Sequence, residues 1–473
     1  MNRNKILIIL MAFLMMIVSY SLLSQATTYH TACIEGTICI AIVSVLMIMG
    51  QKEKIIPFNI IYVFFVLFQF GLPILNALDG NYYSFYINQF DEEGLIESVR
   101  NTAISIEFFA LGAMIVGGKK YSNKTIKNSV FSDNNSNNIE IIFTVIFTIT
   151  SIVAIPLAIY VAYLASIHGY NYVKEDTMGI YNSLTRVCQQ LFVPSTVLVI
   201  IFTESKKKKK AFLIISILYA TILIFTGGRT TSIGIIIMDL FIFLSEFFKE
   251  KTNRILFFKI IAIIVIIAVG FLGVMVIQIR SGVNSSKGIV DIMETAIAEM
   301  GFNFTSICFT RLYIPNVESY KMGFSYFASL VCLIPKSIDF TGTINNIYVN
   351  LPELWLANKL HTSFDSLYDF GVGYSIIAEA YYNFGAFGFL SVFVQSLIIN
   401  IFMNKDYSNS TDKKFRKYIQ MILLFELITY PRRSFYTLLK SIEYDIWLVM
   451  LIIFFYSSYK YTVKERNNII KKE

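Results

Sequence analysis

Histidine is scarce in this chain: His30, His168 and His361 are the three that 473 residues contain, beside five cysteines and two tryptophans. That scarcity excludes the common metal frameworks, because no CxxC or HExxH spacing occurs and no second histidine stands near any of the three. The cysteines, Cys33, Cys39, Cys188, Cys308 and Cys332, are odd in number and lie mostly in or beside apolar runs. They make no disulfide framework, although a single Cys308 to Cys332 bridge stays open. Charge is short too, since Asp, Glu, Lys and Arg make up 15% of the chain, against roughly 25% in soluble domains. No GxxxxGK[ST] loop is present to cradle a nucleotide.

Apolar side chains, in contrast, reach 55%. They fall in runs of about 17 to 25 residues, each long enough to cross a hydrocarbon core of roughly 30 Å as a helix. A transmembrane barrel would show short alternating segments instead. Candidate spans cover 6–23, 32–50, 55–76, 101–117, 140–164, 187–203, 211–226, 231–248, 255–279, 380–403, 418–430 and 441–458. The expected fold is an all-α integral membrane protein of about twelve transmembrane helices. Its first run, Ile6 to Leu23, follows Arg3 and Lys5 as a signal peptide would, but it is long and has no clear small-x-small cleavage site. It reads as a retained span.

Lysine and arginine set the orientation. One set of connections carries Arg3 and Lys5, Lys52 and Lys54, Lys119, Lys120, Lys124 and Lys127, the run Lys206 to Lys210, then Lys249, Lys251 and Arg254, the stretch "TDKKFRK", and the basic C-terminal tail. This set is the cytoplasmic one, which puts both termini inside. The net charge of +8 therefore reports topology and not a nucleic-acid partner. On the opposite face one long segment, 280–373, is rich in Phe, Tyr, Ile and Leu and poor in linker residues. It is expected to fold as an extracytoplasmic cap between the ninth and tenth spans, within a single polytopic domain covering 1–473.

An arginine near a membrane needs a reason, because it is expensive to bury there. Arg229 in "FTGGRTTS", Arg280 in "IQIRSG", Arg311 in "CFTRLY", and Arg432 with Arg433 in "TYPRRSF" all stand on the non-cytoplasmic side of this topology. Guanidinium groups hold phosphate oxygens bidentately, and a set of them suits a pyrophosphate. Gly227 and Gly228 would let the backbone turn sharply and bring its N–H groups to an anion. Taken singly, each arginine could equally snorkel to lipid headgroups.

A second feature is "GVGYSIIAEAYYNFGAFGFL", where Glu379 precedes Tyr381, Tyr382 and Asn383. Hydroxyl, ring and amide groups are what stack on and hydrogen-bond to sugars. Two roles for Glu379 stay open: exchanging a proton with a substrate hydroxyl, or pairing with an arginine to pin a helix. His361, in "ANKLHTSFDSLYDFGVG", stands one helical turn before Asp365, a spacing that allows a His and carboxylate pair. It is a candidate acid or base, or else a plain surface residue.

These stretches together resemble the oligosaccharide repeat-unit polymerases of the Wzy type, which make O-antigen and capsular polysaccharide. The resemblance rests on "FTGGRTTSIGIIIMDLF", on Arg280 leaving its span into one long outer loop, and on "AEAYYNFGAFGFL" at that loop's return. It implies a fold like the glycosyltransferase C class, related in layout to O-antigen ligases. It implies transfer of a growing glycan from undecaprenyl pyrophosphate to a new lipid-linked repeat unit at the outer face of the inner membrane. No nucleotide sugar, metal or other cofactor is implied; a flippase and a chain-length regulator of the same pathway are implied partners. Arg229 and Arg280 match the family's pyrophosphate ligands, Arg432 and Arg433 less closely, and His361 matches only the position of the ligases' loop histidine. Two rivals remain open from the residues: a lipid-linked oligosaccharide flippase or other transporter, and an O-antigen ligase.

Overall fold

A computed structural model describes residues 3–50, 57–80, 87–116, 136–168, 183–226, 229–247, 289–334, 339–363, 373–403, 410–447, 449–450 and 454. Among the described residues there are helices, short turns and no strands. Six helical stretches are long and apolar enough to cross a membrane: Arg3–Gln25, Tyr29–Gly50, Phe58–Leu78, Glu92–Val116, Glu140–Ala165 and Ile376–Met403. Val187–Phe202 and Thr231–Phe243 are shorter apolar helices. About twelve spans were expected. The one at 255–279 lies outside the described residues, and 441–458 is described only in part. The expected span 211–226 lies almost wholly in a helix whose first turn is five lysines, which leaves its apolar part short of the ~20 residues that crossing requires.

The helices form two compact units. The first contains α1 (Arg3–Gln25), α2 (Tyr29–Gly50), α3 (Pro57–Leu78) and α4 (Glu92–Val116). The second contains α5 (Ser136–His168), α6 (Ser183–Phe202), α7 (Lys206–Phe225) and α8 (Arg229–Phe247). Returning to the first unit, the chain makes α9 (Ile289–Gly301), α10 (Thr305–Tyr313), α11 (Phe324–Val331), α12 (Thr343–Tyr348), α13 (Pro352–Ser363), α14 (Ile376–Phe384) and α15 (Gly388–Met403). Helices α16 (Ser410–Thr429) and α17 (Phe435–Ile442) contribute residues to both units.

In the second unit α5, α6, α7 and α8 pack around Phe147, Phe192 and Tyr219, whose rings lie 5.6 Å and 4.2 Å apart in succession. In the first, α4 is the most enclosed span, packed against α1, α2 and α15. Small residues let the backbones approach: a Cβ on Gly112 would meet Ser396 Oγ at 2.6 Å, and that hydroxyl donates to Phe109 O. Helix α1 leaves Leu7, Leu14 and Ile17 exposed, as a lipid-facing helix does.

Another close crossing joins α3 to α9, where a Cβ on Gly301 would stand 2.4 Å from Leu72 N. Gly301→Ala puts a methyl against the backbone of Gly71 and Leu72, which cannot swing aside as a side chain can. A loss of about 1–3 kcal/mol is expected, read as a lower melting temperature of the purified protein. Gly50→Ala is the control, since its Cβ would meet its nearest neighbour at an ordinary 3.4 Å. The five cysteines are all free and buried.

Candidate functional site

The stretch "TYPRRSF" follows α16 as a tight turn, Tyr430–Arg432, before α17 begins. Proline at its start suits that turn, because the fixed φ and missing N–H are what a first turn tolerates. Arg432 is exposed and Arg433 half-buried, while the residues on either side, Tyr430, Pro431 and Ser434, are buried. Buried backbone demands partners. Gln69 Nε2 from α3 and Asn303 Nδ2 from the turn before α10 both donate to Pro431 O, at 2.5 Å and 3.0 Å. The Tyr430 hydroxyl donates to Gln395 on α15. Ser434 Oγ and Thr437 Oγ1 both donate to Glu353 Oε2 of α13, at 2.8 Å and 2.7 Å. Side chains from four elements thus hold a turn that presents two arginines.

Glu379 completes the clamp. It is buried on α14, whose N-terminus is capped by Ser375 Oγ accepting from Ala378 N. One carboxylate oxygen accepts from Phe435 N at 2.6 Å and the other from Ser325 Oγ at 2.8 Å. Asn383, one turn on, donates to Ser325 Oγ at 2.6 Å and to Glu379 O at 2.8 Å. The carboxylate therefore ties α14 to α11 and to the first residue of α17.

The far end of α14 is closed by the same segment. Lys321 N and Met322 N donate to the carbonyls of Tyr382 and Asn383, at 3.1 Å and 2.9 Å, which satisfies acceptors that a helix end leaves open. Gly385 then takes φ 57° and ψ −135°, a backbone conformation that a residue with a Cβ adopts only under strain.

Tyr381 and Tyr382 are buried, not displayed. Trp355 meets Tyr382 edge-on at 4.9 Å and Tyr313 at 5.9 Å, and Tyr320 meets Tyr381 at 6.0 Å. Beside these rings Glu318 binds Lys321 and Lys359, each at 2.8 Å, and accepts from Trp355 Nε1 at 3.2 Å. Partial burial raises its carboxyl, but the hydrogen bonds from Lys321, Lys359 and Trp355 outweigh that and hold it at about 2, below its usual 4.5. The folded value is depressed, so the stability it contributes is present above 4.5 and fades as pH falls toward about 2. The gap in melting temperature between the native protein and Glu318→Gln should shrink across that window.

The other expected site residues fall as follows. Arg311 on α10 pairs with Glu97 of α4 and lies 5.4 Å over the Tyr381 ring. His361 is exposed in the last turn of α13. Its expected partner Asp365 lies outside the described residues, as do Gly227, Gly228 and Arg280. Arg229 is the first residue of α8, in the second unit. Among the described residues no group of three His, Cys, Asp or Glu side chains could hold a metal ion.

Sequence reading missed the clamp itself: Gln69, Asn303, Ser325, Glu353 and Gln395. Gln69 did carry a signal, as a lone amide in the apolar run "FVLFQFGL". A polar side chain inside a span needs an internal partner. The identity of that partner, Pro431 O, is a long-range fact that no local pattern contains.

The family model described as O-antigen polysaccharide polymerase Wzy matches residues 6–464, nearly the whole chain. No curated protein and no solved structure matches it.

Proposed function

Because the chain belongs to the O-antigen polysaccharide polymerase Wzy family, an integral membrane family that joins oligosaccharide repeat units, we propose that it uses undecaprenyl-pyrophosphate-linked glycans as both donor and acceptor. In this reading the reaction takes place at the outer face of the bacterial inner membrane, and both termini lie in the cytoplasm. The observation that carries it is the clamped turn at Tyr430–Arg432: Gln69, Asn303 and Glu379 bond backbone atoms of residues 431 and 435, and Gln395 and Glu353 bond the side chains of Tyr430 and Ser434, around two adjacent arginines.

Cations carried on a backbone that is in place before the substrate arrives need less reorganisation when charge develops, which favours stabilisation of a leaving group. Arg432 and Arg433 hold the donor pyrophosphate bidentately. Family resemblance also makes Arg229 and Arg280 candidate pyrophosphate ligands. An acceptor sugar hydroxyl attacks the anomeric carbon of the donor glycan, the bond from that carbon to the pyrophosphate breaks, and the lipid pyrophosphate leaves with the electron pair. The hydroxyl proton passes to a base, for which the exposed His361 is our candidate. Glu379 is assigned a different task, since both of its oxygens already accept hydrogen bonds within the protein. It positions the turn.

A strain deleted for this chain tests the reading. Polysaccharide with single repeat units only, restored to long chains by the native gene, is the expected gel pattern. Long chains in the deleted strain, or a lipid-linked repeat unit trapped on the cytoplasmic side as loss of a flippase would leave it, would overturn it.

A further inference from the structure

A cavity of about 350 Å³ opens between the start of α4 and the end of α10, walled by Phe90, Asp91, Glu93, Glu97, Arg311 and Leu312 among others. Its size falls at the small end of ligand sites, which run from about 300 to 1,000 Å³. Resting on the polymerase reading, we propose that this cavity is a subsite for one uncharged sugar ring of the repeat unit, separate from the place where pyrophosphate binds.

Three carboxylates and one guanidinium line it, so it is net negative. Phosphate and uronic acid groups are repelled there, whereas hydroxyls are welcome donors to carboxylate oxygens. Phe90 and Leu312 supply apolar wall for the C–H face of a pyranose. The polar groups are also held in place. Asp91 Oδ2 accepts from Gly94 N at 3.1 Å, and Glu97 pairs with both Arg100 and Arg311.

Arg311 is the one cation among the described residues of the wall. Its Nε is buried and has no hydrogen-bond partner among the described residues, although its terminal nitrogen pairs with Glu97. The same guanidinium rests on the ring of Tyr381, two residues along α14 from Glu379, so the subsite and the arginine clamp share one helix.

The probe is the free oligosaccharide released by mild acid from the lipid-linked single repeat unit that a strain lacking this protein accumulates. Purified full-length protein should bind it, and Leu312→Trp, which fills the cavity without touching a charge, should weaken binding at least tenfold. Arg432→Ala/Arg433→Ala protein should bind the oligosaccharide normally while making no polymer. A second filling variant, Leu312→Phe, guards against misfolding of the first, and both are checked for a native melting temperature. Native protein that does not bind the oligosaccharide, or two folded filling variants that bind it as tightly as native protein, would overturn the subsite. Neither result touches the polymerase reading, which instead fails if native protein leaves the lipid-linked repeat unit unextended.

Discussion

Arg432→Ala/Arg433→Ala protein is expected to fold, to remain in the membrane fraction and to leave its repeat units unpolymerised. The hydrogen bonds made at Pro431, Tyr430, Ser434 and Phe435 do not use the two arginine side chains and are kept in the variant. A hydrogen bond to a charged group contributes about 1.5–3 kcal/mol. Removing two guanidinium groups from a developing pyrophosphate then lowers the rate by about two to four orders of magnitude. Lysine at both positions should recover only part of it, since an ammonium is a point charge without the planar fork. The measurement is initial polymerisation rate against donor concentration, with melting temperature as the control for folding. Rates within threefold of native, in roughly native-like protein, would remove the turn from the account.

The second large effect separates two roles for Glu379. As the clamp, its truncation to alanine leaves Phe435 N–H and the Ser325 hydroxyl buried without their acceptor. Each such orphan costs about 1–3 kcal/mol, so Glu379→Ala should lose both stability and polymer. Glutamine keeps one carbonyl oxygen for Phe435 N–H, and its amide can donate to Ser325 Oγ. Glu379→Gln should therefore stay within about tenfold of native rate. A proton acceptor behaves in the opposite way: the amide cannot take a proton, and loss of a general base removes about 10²–10⁴ in rate without unfolding anything. Native stability with activity lost in Glu379→Gln would make Glu379 the base and His361 dispensable. His361→Ala, exposed and outside the clamp, provides the matching measurement.

The parts of the fold readable from sequence are those fixed by local length and polarity. Spans such as 6–23, 32–50 and 55–76 stand out because an apolar run of that length has few alternatives to a membrane helix. Amphipathic or lysine-led segments such as α7 and α16 are harder, because their apolar stretch falls near the threshold. At the site, the arginines of "TYPRRSF" were legible as charges abutting an apolar helix, and "AEAYYNFG" as a polar interruption of one. Aromatic composition is shared by sugar-facing surfaces and small cores, so sequence does not say that the Tyr381 and Tyr382 rings pack on Tyr320 and Trp355. The pairing of Arg311 with Glu97 joins residues far apart in the chain, and only the folded arrangement of α4 and α10 reveals it.

The most direct test uses purified protein in bilayer discs and a single substrate, the undecaprenyl-pyrophosphate-linked repeat unit, without nucleotide sugar. The account expects a ladder of products on a gel, rising by one repeat unit per rung, with lipid pyrophosphate released in step and no ladder from Arg432→Ala/Arg433→Ala protein. Unchanged substrate with native protein, or an equal ladder from the variant, would contradict it.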